Sequence, residues 1–127
     1  MDNMSKTFFS EFSNVENKDI PVGIIDKDDY RYEILKPLFE QYGPGFTDTR
    51  IGGVFIDGEA GLSKDELKWI EAHEVAHIRL KHQMRDRNSE DEWEADLFAK
   101  LYLLKGGYKG AAKLISKHSL ERHGKKI

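Results

Sequence analysis

The sequence predicts an α+β protein in which a small antiparallel or mixed sheet packs on helices, with a helical C-terminus. Two observations carry this. "IPVGIID" (20–26) and "TRIGGVFIDGEAG" (49–61) are apolar runs closed by an acidic cluster or by Asp-Gly, as strands are. The stretches 64–84, 90–104 and 108–124 repeat apolar residues at helical spacing. At 127 residues the chain reads as a single domain with one core.

Residues 1–19 are polar and irregular. "FFSEF" is their one apolar cluster, and it either docks on the body or belongs to a loosely ordered end. "DDYRYEILKPLFEQYG" has Tyr30, Ile34, Leu38 and Tyr42 at four-residue spacing, with Pro37 expected to bend or break the helix. "GPGF" reads as a turn, and Gly52-Gly53 as a bulge or a close backbone approach. Ser63 and Glu66 form a capping box that opens the next helix, which is expected to run from Lys64 to about Met84. After "RDRNS" a second helix carries Trp93, Leu97, Leu101 and Leu104 as its core stripe, and Gly106-Gly107 ends it.

The chain has no cysteine, so a metal would need histidine and carboxylate ligands. No segment has the apolar length of a signal peptide or a membrane span, which predicts a cytoplasmic protein with no membrane partner. From Lys105 to Ile127 seven Lys/Arg face one acid, giving +6, while the preceding 104 residues hold 13 basic and 22 acidic side chains, giving −9. A basic tail can contact nucleic acid. Lys109, Lys113 and Lys117 recur every four residues without interleaved aromatics, which reads instead as the solvated face of the 106–127 helix.

"IEAHEVAHIRLKH" (70–82) holds the chemistry. His73, Glu74 and His77 form H-E-x-x-H, whose histidines sit one helical turn apart and can reach a shared Zn²⁺. Glu74 projects beside such an ion, where it can take a proton from an attacking water. The bland alternative is a solvated amphipathic helix that happens to carry histidines.

A hydrolytic zinc site needs a third protein ligand. His82 is out of phase with the His73/His77 face of a continuous helix and is set aside. "EDEWEAD" supplies Glu92 as that ligand, with Asp96 one turn on to fix the tautomer of a liganding histidine. Ser89 and Glu92 also form an S-x-x-E capping box; if Glu92 served only as a cap, Glu94 would be the ligand.

These residues resemble a known family. "HEVAH" followed by "EWEADLFA" is similar to the gluzincin-type zincins, and most to the small ImmA/IrrE metallopeptidases. The resemblance spans about residues 50–100. It implies a zincin-like fold with His73, His77 and Glu92 as zinc ligands and Glu74 as general base. It also implies a protein substrate, typically a transcriptional repressor of a phage or mobile element. On this reading an extended substrate pairs along "RIGGVFIDG", and Tyr102, Tyr108, His118 or His123 donates to the oxyanion. The rivals are a catalytically silent protein-binding module and a nucleic-acid binder using the basic C-terminal helix.

Overall fold

The computed structural model describes residues 6–13, 19–48, 52–82 and 88–127. It is α+β. Four strands, β1 (Lys6–Phe9), β2 (Pro21–Ile25), β3 (Gly45–Asp48) and β4 (Gly53–Asp57), form one mixed sheet in the order β1-β2-β4-β3. β2 and β4 run parallel, with Val22 opposite Val54 and Ile24 opposite Ile56; the two outer pairs are antiparallel. The helices are α1 (Tyr32–Tyr42), α2 (Lys64–Arg79), α3 (Ser89–Lys105) and α4 (Lys109–His123). Among the described residues, no helix is long and apolar enough to cross a membrane.

Alternation along the strands sorts the core into two faces. Val22, Val54 and Ile56 point to α2, α3 and α4 and pack with Ala72, Val75, Ala99, Leu103 and Ile115. Ile25, Phe46 and Phe55 point the other way, onto Tyr32 and Phe39 of α1. The "FFSEF" cluster docks: Phe8 and Phe9 lie in β1, and Phe12 is buried beside Tyr102 and Tyr108. Residues 1–5 and 14–18 of the polar N-terminal stretch lie outside the described residues.

Several expectations are corrected. "GPGF" is not only a turn, because Gly45 and Phe46 already belong to β3. Gly45 is pressed so closely on Ile70 of α2 that a β-carbon there would collide with it. Gly52 takes a positive φ of 66° and its amide donates to Asp48, so it belongs to the connection between β3 and β4, not to a bulge. The outer part of that predicted strand, through Ile51, falls outside the described residues. α1 continues through Pro37; Pro37 and Glu33, whose carbonyl loses its helical donor, both lie on the exposed side, where water can take the bond. α1 packs through Tyr32, Leu35 and Phe39, joined by Leu38 and Tyr42 of the predicted stripe, while Tyr30 and Ile34 of that stripe are exposed.

α3 differs in the same way. Leu101 and Leu104 are exposed, and Ala95, Asp96, Ala99 and Leu103 turn inward. The small alanines let α3 approach α2, and the polar partners of Asp96 hold that face against the core. α4 buries Ala111, Ala112 and Ile115, leaving Lys109, Lys113 and Lys117 exposed as expected.

Candidate metal centre

α2 begins at the predicted capping box: Glu66 N donates to the Ser63 hydroxyl at 3.1 Å, and Ser63 N donates to the Glu66 carboxylate at 2.9 Å. Its middle is not the solvated helix of the bland reading. Every residue from Glu71 to His77 is buried between the sheet and the two helices that follow. The His73 and His77 rings meet edge to face, with their Nε2 atoms 3.0 Å apart.

α3 brings a carboxylate to this pair. Glu92 Oε2 lies 2.9 Å from His73 Nε2 and 3.2 Å from His77 Nε2. The predicted competition from capping does not arise. The cap of α3 is Asn88, whose side chain accepts from Asp91 N at 2.9 Å while the Asp91 carboxylate accepts from Asn88 N at 3.3 Å. Glu92 is therefore left to face α2. Glu94, the alternative ligand, points elsewhere: its carboxylate is 3.9 Å from His82 Nε2. His73, His77 and Glu92 thus form a group able to hold a metal ion.

Asp96 has no exposed surface and is surrounded by donors. His73 Nδ1 and Trp69 Nε1 approach its Oδ1 at 2.7 Å and 2.9 Å. Arg122 Nε and His123 Nε2 approach its Oδ2 at 3.0 Å and 2.5 Å. Burial works against ionisation, but the bonds from His73 outweigh it and hold the Asp96 carboxyl below its usual range. Glu92 is lowered for the same reason, its burial overcome by the bonds from His73 and His77. Reciprocally, burial disfavours a charged His73, yet the paired Asp96 and Glu92 carboxylates raise it to about 10 in the metal-free protein.

Two of the three metal-binding residues, His73 and Glu92, line a cleft of about 670 Å³ that Glu74 also lines, while His77 is buried behind them. The Glu74 carboxylate is buried, 3.9 Å from His73 Nε2. Of the four oxyanion candidates, His123 lines this cleft. Tyr102 instead accepts from Arg79, Tyr108 donates to Glu11, and His118 stacks on Trp69. Arg122, which also lines the cleft, carries no signal in the sequence beyond its charge; only the folding of α4 back over α2 brings it there.

The expected substrate strand is corrected too. β4 lies between β2 and β3, so both of its edges are already hydrogen-bonded and it cannot accept an added strand. Among the described residues the outer edge of β3 pairs with no strand, and Pro44 and Gly45 at its start line the cleft. In comparisons with protein-family models, curated proteins and solved structures, nothing matches the chain.

Proposed function

We propose that the chain is a zincin-like, zinc-dependent endopeptidase in which His73, His77 and Glu92 hold the ion and Glu74 is the general base. The observation that carries this reading is the convergence of two imidazole nitrogens and one carboxylate oxygen, 2.9–3.2 Å apart, beside a cleft that Glu74 shares. Tetrahedral zinc with bonds of about 2.0–2.1 Å separates neighbouring ligands by about 3.3 Å, so these spacings are only slightly tighter than the ion needs. Two histidines and a glutamate also form a donor set used in hydrolytic sites that keep a position open for water. When bound, zinc supplies a Lewis acid that polarises a carbonyl and acidifies water.

The chain's own residues do the rest. Asp96 accepts the Nδ1 proton of His73 and so leaves Nε2 as the ligand atom. Glu74 takes the proton from the attacking water and returns it to the leaving amine. The outer edge of β3, beside which no strand lies among the described residues, aligns an extended substrate by strand addition. Arg122, anchored on Asp96 through Nε, keeps its terminal N–H groups as donors for the oxyanion; His123, whose Nε2 proton goes to Asp96, lines the cleft beside it. The resemblance of "HEVAH" and "EWEADLFA" to the ImmA/IrrE metallopeptidases points to a cytoplasmic regulatory protein as substrate, such as a repressor of a phage or mobile element.

Cleavage of a diverse peptide library by wild type and Glu74→Gln tests the reading. The variant keeps its zinc and loses roughly 10²–10⁴-fold in rate, the usual contribution of a positioned base. Equal rates for the two proteins would contradict it.

A further inference from the structure

α2 ends earlier than its sequence pattern suggests. Leu80 caps it, Lys81 takes the left-handed conformation at φ 60°, and the chain doubles back. Lys81 N donates to Ile78 O at 3.1 Å and His82 N donates to His77 O at 3.0 Å. This pair of bonds is a Schellman motif, here with lysine where glycine is usual. The remaining predicted turn, through Met84, lies outside the described residues. The reversal seats His82, 9% exposed, directly behind His77, with the two Nδ1 atoms 2.9 Å apart. A continuous helix would have carried His82 away from that face.

We infer that His82 is a positioning residue for the metal centre: its Nδ1 accepts the Nδ1 proton of His77 and thereby fixes His77 with Nε2 as the ligand atom. The inference rests on the zinc reading above, because only a liganding Nε2 dictates the tautomer. A neutral imidazole carries a single proton. With His77 Nε2 bare, that proton is on Nδ1 and must be donated. His82 Nδ1 then has to be the acceptor, and the His82 proton is on Nε2. That nitrogen faces Asp91 Oδ1 at 3.4 Å and Glu94 Oε1 at 3.9 Å.

The chain of bonds has a second consequence. His82, Asp91 and Glu94 also have the composition and spacing of a metal-binding group. Holding an ion there would require a bare His82 Nε2, which the hydrogen bond from His77 denies. The two groups are coupled, and the second is the outer shell of the first. Each proposed histidine ligand is then backed by its own acceptor, Asp96 behind His73 and His82 behind His77.

Zinc affinity, measured by competition with a chromophoric chelator on the full chain, tests this with His82→Leu and His82→Asn beside wild type. Outer acceptors of this kind are worth about 10–100-fold in metal affinity, so His82→Leu should bind that much more weakly. His82→Asn, whose side-chain oxygen can accept the same proton, should recover most of the loss. Wild-type affinity in His82→Leu would overturn the inference while leaving the zinc reading intact. A second zinc per chain that His82→Leu removes would also overturn it. A wild type that binds no zinc would sink both. Long-range proton–nitrogen correlation NMR of the zinc-loaded wild type decides the matter without any variant: the His82 proton is expected on Nε2, and finding it on Nδ1 contradicts the assignment.

Discussion

The Thr47 hydroxyl donates to the backbone carbonyl of Glu74 at 3.1 Å. Both residues are buried, so edge strand β3 is tied to the turn of α2 that carries the proposed base. Thr47→Val preserves the shape and removes the bond. It should cost about 0.5–1.5 kcal/mol in thermal or denaturant unfolding, the usual net worth of such a bond. Zinc content should be unchanged and KM for a peptide substrate raised, because the strand that aligns it is loosened. A variant with unaltered KM would show that β3 does not align substrate.

Asp96 joins three helices through His73 and Trp69 of α2 and Arg122 and His123 of α4. Asp96→Asn keeps the size and removes the charge that these donors share. Charge-assisted bonds contribute about 1.5–3 kcal/mol, so unfolding of the metal-free variant should show a loss of that order. Zinc affinity should fall about 10–100-fold, as it does when the outer carboxylate of a ligand histidine is removed. Unchanged affinity would remove Asp96 from the metal centre and leave it a packing residue.

The metal-free form should lose stability with rising pH where the zinc-loaded form does not. His73 titrates near 10 when folded, against an ordinary 6.5. Its stabilisation of the metal-free protein is full below 6.5 and is lost as pH rises toward 10. Glu92 and Asp96, both depressed, act oppositely: their contribution is present above the ordinary carboxylate range and fades only in acid. Zinc requires an unprotonated His73, so its binding strengthens as pH rises. The gap in Tm between zinc-loaded and metal-free protein should therefore widen from about pH 6 to about pH 9. A constant or narrowing gap would place the displaced proton elsewhere.

Much of the centre was legible in local sequence. Ser63 and Glu66 announce the start of α2, and the four-residue spacing of His73 and His77 survives into the structure because a single helix carries both. What stayed hidden depends on contacts distant in sequence. Asn88/Asp91 and Ser89/Glu92 both have capping-box spacing, and the tie is resolved in favour of Asn88 while Glu92 bonds the histidines of α2. The end of α2 has no glycine or proline to mark it; a lysine occupies the left-handed position. That one turn is why His82, set aside as a ligand, still reaches the Nδ1 side of His77. β3 has a single large apolar residue, Phe46, in four positions, too few to read as a strand. The inward face of α3 is set by a buried aspartate and alanines, which a search for a leucine stripe passes over.

Zinc content of the purified chain, compared among wild type, Glu92→Ala and Glu94→Ala, tests the central claim most directly. Wild type and Glu94→Ala should each carry a single zinc, and Glu92→Ala should lose it, because of these two carboxylates it is that of Glu92 that lies within 3.2 Å of the Nε2 atoms of His73 and His77. Zinc retained by Glu92→Ala and lost by Glu94→Ala, or a wild type with none, would contradict the account.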